Sequence, residues 1–266
     1  MVSIILPYYN RLPLLINTMR SFEHFYIDKD VEVIIVDDGS SDEHRLDNRE
    51  FKIKTKIIRI ENKNGINPCY PYNVGVRHSS GDILILSSPE TFHTRDMFSI
   101  TNNFDMLNND TYLLFSVFCL TQSNMINEIL NESNFNVVIK NVNDNMSKFY
   151  MNLGENGYPF NNNFGSWYLH SQIRSTGLNF FTAITREKYY GMSGFDERFR
   201  FGTGFDDNEF KDRLLISNTK FIYYDEAIAI HINHEVVNNS SPTTNHILYL
   251  QTRYDNYKTN DTWGKL

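Results

Sequence analysis

The sequence predicts an α/β fold with a mostly parallel central sheet flanked by helices, and three observations carry the prediction. Short apolar runs rich in β-branched residues recur at positions 2–6, 31–36, 56–60 and 82–86. Segments with helical spacing lie among them, and strands alternating with helices form a parallel sheet covered on both faces. The chain has 266 residues, 41% of them hydrophobic, with no repeat or low-complexity linker, which suits one large α/β domain or two closely packed halves.

The elements follow in order. Residues 2–6 form a strand closed by Pro7, and Leu12, Leu15, Ile16, Met19 and Phe22 then mark a helix that tolerates Pro13 in its first turn. Strands at 31–36, 56–60 and 82–86 come next, with a helix at 68–78 between the last two. Met97, Ile100, Phe104 and Leu107 set a further helix before a strand at 112–118. Residues 121–165 are Asn-rich and longer than a passive connection, so they read as a mobile functional loop or a small subdomain. A strand at 179–184, a helix at 205–215, one or two strands at 220–230 and a helix beyond Pro242 that packs back on the body complete the chain.

A net charge of -7 argues against a nucleic-acid surface, and an anionic ligand would need local neutralisation by a bound cation or a few placed bases. Two cysteines, Cys69 and Cys119, make no disulfide framework. The apolar start is cut short by Pro7, which does not suit a signal peptide, and no transmembrane segment is read; a cytoplasmic location is the expectation. Asn-x-Ser/Thr triplets at Asn109, Asn131, Asn145 and Asn260 carry no weight in so Asn-rich a chain.

In an open parallel sheet, ligands bind beyond the carboxyl ends of the strands, so residues 7–10, 37–40 and 87–90 should line one crevice. Asp38 has two readings: acceptor of a nucleobase imide N–H, or, with Asp37, a cap for the following turn. Near the C-terminal third, Gly191-Met-Ser-Gly-Phe-Asp196-Glu197 and Gly202-Thr-Gly-Phe-Asp206-Asp207-Asn-Glu209 form a glycine-spaced acidic cluster that suggests sugar or metal chemistry.

Ser3-Ile-Ile-Leu-Pro-Tyr-Tyr-Asn10, Glu32-Val-Ile-Ile-Val-Asp-Asp-Gly-Ser40 and Asn73-Val-Gly-Val-Arg-His-Ser-Ser-Gly-Asp82, in that order, resemble family two of the nucleotide-sugar glycosyltransferases, whose fold is GT-A. Gly194-Phe-Asp-Glu-Arg-Phe and Gly204-Phe-Asp-Asp resemble their galactosyl- and N-acetylgalactosaminyltransferase-like members. The resemblance implies one domain over 1–266: a nucleotide-sugar half at 1–118, an acceptor and catalytic half at 119–232, and a tail. It implies that Pro7 and Tyr9 border the nucleobase, that Asp38 binds uracil or its equivalent, and that Asp207 is the catalytic base with Asp206 beside it.

The chain departs from the family where an Asp-x-Asp motif normally holds the metal: Ser88-Pro89-Glu90 stands there. Glu90 falls at the second acidic position and can still bind Mn²⁺ or Mg²⁺ through oxygen, whereas Ser88 keeps a neutral hydroxyl on the donor side. The competing reading makes 87–90 a helix start capped by serine. His93 is a second group near that metal. His231 resembles the late histidine that completes the metal shell in many GT-A enzymes; a structural histidine is the other reading, and His234 ranks below it.

Asp207 can act as base or stabilise a helix dipole, and a helix N-terminus would lower its pKa. Asp196 and Glu197 read as structural or as acceptor ligands. Trp167 and Tyr168 can stack on a sugar, although aromatics in a chain with 16 Tyr and 20 Phe are mostly core. His24, His44 and His246 read as structural. The function expected is an inverting, metal-dependent glycosyltransferase moving a hexose or N-acetylhexosamine from a nucleoside diphosphate, UDP favoured, to a glycan, lipid-linked or protein acceptor. The alternative is a glycosyltransferase-like sugar- or nucleotide-binding protein without turnover. A nucleotidyltransferase ranks last, because no Gly-rich phosphate loop follows the first strand.

Overall fold

The computed structural model of the chain describes residues 1–46, 49–61, 63, 65–150, 164–235, 243–253 and 262–266. Its strands are β1 (Val2–Tyr8), β2 (Val31–Asp37), β3 (Thr55–Arg59), β4 (Ile83–Leu86), β5 (Thr91–His93), β6 (Thr111–Leu120), β7 (Gly165–Leu169), β8 (Thr182–Thr185) and β9 (Lys220–Ile232). Its helices are α1 (Leu12–Tyr26), α2 (Cys69–Arg77), α3 (Met97–Ile100), α4 (Ser123–Asn131), α5 (Phe135–Asp144), α6 (Met146–Phe149), α7 (Arg186–Gly191), α8 (Asp206–Ile216) and α9 (Thr243–Thr252). The sheet runs β3-β2-β1-β4-β8-β6-β9-β5, with β7 paired to β6.

The first four strands are parallel, as their continuous apolar runs predict. β2 is buried along its whole length, and its Glu32 is tolerated because it accepts a hydrogen bond from the Ser3 hydroxyl at 2.7 Å on the neighbouring strand. Strands β5, β7 and β8 join antiparallel and widen the sheet beyond the parallel core. α2 lies hard against β1 and β2: a Cβ on Gly75 would sit 2.5 Å from Ile5 Cγ2, so only glycine permits this approach. Leu15, Met19 and Phe22 on the inner face of α1 are buried, as the spacing predicts.

The helix read through Leu107 stops at Ile100; residues 102–104 take positive φ and turn the chain. Residues 121–150 resolve into the subdomain of the two readings offered: α4, α5 and α6 lay Met125, Ile129, Val138, Val142 and Phe149 on Phe118 and Trp167 as a second apolar core. Residues 151–163 lie outside the described residues. The ambiguity over one or two strands at 220–230 has a physical cause. β9 is a single strand whose pairing with β6 shifts register between Phe115 and Val117, and Asp225 in that shift accepts from Ser116 Oγ and the Ser171 N–H, each at 2.9 Å. No described helix is long and apolar enough to cross a membrane.

Candidate active site

The carboxyl ends of β1, β2 and β4 open onto a cavity of about 230 Å³, and Pro7, Tyr9, Asp38, Ser88 and Glu90 all line it. The two aspartates of the pair have different surroundings. Asp37 takes the structural part: one oxygen accepts the Ser40 N–H at 2.9 Å and the other meets Arg59 Nη1 at 2.7 Å. Asp38 faces the cavity, where Lys63 Nζ lies 3.0 Å from its carboxylate and 3.6 Å from the Tyr9 ring centroid. Burial raises the Asp38 carboxyl above its ordinary pKa, and the Lys63 cation partly opposes that.

Glu90 is not the start of a helix. It sits in a turn closed by the Thr91 N–H bonding to Ser88 O at 3.1 Å and leading into β5. β5 then pairs antiparallel with β9, Thr91 opposite His231, so sheet register carries a late histidine to an early glutamate. His231 Nε2 lies 3.6 Å and His234 Nε2 3.2 Å from Glu90 Oε1, and the three potential ligand atoms fall within 4.8 Å of one another. Arg11 Nη1 reaches the same oxygen at 2.8 Å. Burial works against the Glu90 carboxylate, but the histidines and Arg11 outweigh it and hold Glu90 well below the usual carboxylate range. Burial likewise disfavours the His231 cation, yet the Cys119 sulfur and Glu90 lift its pKa to about 9.

Glu90 Oε2 and His231 Nδ1 are buried without a hydrogen-bond partner, which is costly unless something else satisfies them. One carboxylate with two imidazoles is a donor set that suits a first-row divalent ion such as Mn²⁺. The residues therefore fit a metal, and His234, ranked low from sequence, stands closer to Glu90 than His231 does. Ser88 Oγ is turned to Thr91 Oγ1 at 2.6 Å. His93 is not a neighbour of this group: its ring stacks on Phe181 at 4.1 Å and bonds the Tyr26 hydroxyl at 2.8 Å, and burial lowers its pKa to about 3.

The acidic cluster separates into residues paired with arginine or amide partners and the Asp206–Asp207 pair that opens α8. Asp196 is fully buried and binds the Arg198 guanidinium, and Glu197 accepts from Asn73 Nδ2 at 2.8 Å and from the Gly264 N–H at 2.6 Å. Glu209 is paired with Arg213 at 2.5 Å. Asp206 and Asp207 open α8 behind Gly204 and Phe205, both at positive φ (68° and 67°), a conformation unfavourable for Phe205. α9 holds this corner: Asn245 Nδ2 donates to Gly204 O at 2.7 Å and His246 stacks on Phe205 at 4.8 Å.

Asp206 Oδ1 accepts from Asn67 Nδ2 at 2.7 Å, and Asn67 is itself a wall of the cavity. Burial first, and the neighbouring Asp206 second, push Asp207 up to about 7. The helix terminus was expected to lower it; burial and a like charge overcome the dipole. Burial, then the Glu90, Asp206 and Asp207 carboxylates, raise the Tyr72 phenol well above its usual value, so this cavity-lining ring lies within the field of both acidic stations. Trp167 is fully buried with Nε1 donating to Phe149 O at 2.9 Å, the core reading. Tyr168 is partly buried against His231, ring centroids 5.0 Å apart. Arg11, Lys63 and Asn67 went unread in the sequence. Of these only Arg11, directly after the Pro7–Asn10 motif, carried a local signal.

The parallel strands β1–β4, continued by the mixed strands β5–β9 and carrying acidic residues at their ends, form a GT-A architecture. Residues 3–104 match the family described as Glycosyl transferase family 2. An uncharacterized glycosyltransferase of Bacillus subtilis, YfnE, is 34% identical over 97 residues, 36% of this chain and 24% of that protein. GalNAc-T7, solved with UDP, GalNAc and Mn²⁺, superposes with a TM-score of 0.63 at 14% identity over 94% of this chain and 47% of that one. The Pyrobaculum calidifontis mannosyltransferase PcManGT, solved with GDP-Man and Mn²⁺, gives 0.52 at 14% over 95% and 62%. S. aureus TarS 1-349 with UDP-GlcNAc gives 0.56 at 14% over 88% and 59%. The chain thus spans about a quarter of its curated relative and less than two thirds of these solved chains.

Proposed function

We propose that the protein is an inverting, metal-dependent glycosyltransferase that moves a hexose or N-acetylhexosamine from a nucleoside diphosphate, UDP favoured, to an acceptor hydroxyl. The observation that carries this reading is the single cavity that has Asp38 at one station, Glu90 with His231 and His234 at another, and Asn67 tied to Asp206 in its wall. The nucleotide sugars and Mn²⁺ bound by structurally similar proteins support the donor class.

Asp38 accepts the imide N–H of the base, with Pro7 and Tyr9 flanking the ring. Glu90, His231 and His234 would hold the cation, which would supply positive charge to neutralise the diphosphate. Asp207, its pKa raised to about 7, takes the acceptor proton; the acceptor hydroxyl becomes acidic only as the glycosidic bond forms, so a base of this strength suffices. Asp206, held by Asn67, keeps its neighbour's pKa high and fixes the start of α8. Attack from the face opposite the diphosphate inverts the anomeric carbon. Residues 1–118 supply the donor side and 119–232 the acceptor side, in a cytoplasmic enzyme whose acceptor is a glycan, lipid-linked or protein hydroxyl. Incubating the protein with a panel of nucleotide sugars, with and without Mn²⁺, tests the reading: hydrolysis or transfer from one donor that chelator abolishes supports it, and binding with no turnover of any donor would instead leave a binding protein.

A further inference from the structure

Arg11 is the cavity's cation at the Glu90 end, as Lys63 is at the Asp38 end. Its backbone is set by Asn10, at φ 52°, which is pinned by its N–H to Ser40 Oγ at 3.0 Å and by its Oδ1 accepting the Ser41 N–H at 2.8 Å. Asparagine tolerates this left-handed conformation, so the motif aims Arg11 across the cavity without strain. The side chain, by contrast, is only lightly held. Arginine and carboxylate commonly meet through two parallel bonds, but here Nη1 touches Oε1 alone, while the buried Oε2 has no partner. Among the described residues, Glu90 is the guanidinium's single polar partner. The pair leaves Glu90 with an oxygen for a cation and Arg11 with most of its donors for an anion.

We propose that Arg11 is a donor-binding residue whose guanidinium stays on Glu90 until a divalent cation takes that carboxylate, and then turns to the diphosphate of the nucleotide sugar. The inference rests on the glycosyltransferase reading above. A cation on Glu90 repels the guanidinium from it, and the donor's diphosphate is the anion entering the cavity that Arg11 already lines. In a protein of net charge -7, that anion otherwise meets few positive groups. Metal and nucleotide then bind in partnership, each strengthening the other, because each frees a partner of the other from the Arg11–Glu90 pair.

The test is calorimetric titration of the full chain, wild type, Arg11→Gln and Arg11→Lys, with Mn²⁺ alone and with UDP in saturating Mn²⁺. Arg11→Gln should bind Mn²⁺ alone about tenfold more tightly and UDP about tenfold more weakly, opposite signs that loss of a structural strut does not produce. Arg11→Lys should keep most of the UDP affinity. Equal affinities in wild type and Arg11→Gln, or a parallel fall in both, would overturn the proposal; should Arg11→Gln fail to fold, a wild-type Mn²⁺ affinity that saturating UDP leaves unchanged overturns it equally. A wild type that binds no UDP even with Mn²⁺ takes down the glycosyltransferase reading as well, whereas normal wild-type UDP binding with unresponsive variants removes this inference alone.

Discussion

Asn67 Nδ2 donates to Asp206 Oδ1 at 2.7 Å, tying the wall of the cavity at the strand ends to the first turn of α8 across 139 residues of sequence. Asp206 is buried, and burial raises its carboxyl above the ordinary value while this bond pulls it back. Asn67→Ala should therefore cost about 1.5–3 kcal/mol of stability at pH 8 and distinctly less at pH 4, because the bond it removes favours the charged form of the carboxyl. Thermal melts at the two pH values check it, and an equal loss at both would contradict the assignment of the cost to the charge.

Asp207 sets a pH dependence whose sign can be worked out. Its folded pKa is raised to about 7, against roughly 3.9 in an unfolded chain. As pH rises through that window the unfolded state loses a proton that the folded state keeps, so Asp207 takes stability away between about pH 4 and 7 and the loss is complete above 7. Asp207→Asn should melt higher than wild type at pH 8 and not at pH 3.5. Turnover behaves oppositely: the wild-type rate should climb through pH 7, and Asp207→Asn should lose about 10² to 10⁴ of it and flatten the profile. A variant that retains wild-type turnover would end the base assignment.

A single displacement leaves a stereochemical record. NMR of the first-formed product should show the anomeric configuration inverted relative to the donor, and retention would require a covalent intermediate that one base does not supply.

At the metal cluster, Glu90→Gln should abolish most of the strengthening that Mn²⁺ gives to UDP binding, and His231→Ala and His234→Ala should each remove part of it. The His231 pKa of about 9 in the metal-free protein means that a proton must leave before the ring can ligate, so Mn²⁺ affinity should rise with pH between 6 and 9. Titration of Mn²⁺ at several pH values measures this directly; a flat response would exclude His231 as a ligand.

Asp37 and Asp38 should fail in different ways. Asp37→Ala removes the buried carboxylate that holds the partly buried Arg59 and the Ser40 turn bond, so it should lower the melting temperature sharply. Asp38→Ala should leave melting nearly unchanged and weaken UDP by about tenfold or more, with less discrimination against ADP. Paired melting and binding curves separate the two.

Much of this site was legible because its first part is local. Apolar runs mark β1, β2 and β4, and the residues directly after them, Pro7, Tyr9, Asp38, Ser88 and Glu90, meet at one cavity because parallel strands all end on the same side. β5 was missed because three residues, Thr91–His93, are too few for periodicity to register. α7 is likewise short, and β7, opening on Gly165-Ser166, has no continuous apolar run to mark it. The aspartates and glutamates of the late cluster looked alike in sequence, yet Asp196 and Glu209 are spent on arginines while Asp206 and Asp207 are not.

The α/β framework, the glycosyltransferase-like motifs and the groups available for chemistry can all be read from the amino-acid order, since these depend on patterns a few residues long. Tertiary structure alone decided how those groups are used. The antiparallel register of β5 on β9 brings His231 and His234 to Glu90, and the packing that buries α8's first turn raises Asp207 where the helix dipole would have lowered it. Register and burial arise from contacts between segments far apart in the chain, and charge, pKa and ligand geometry follow those contacts rather than local sequence.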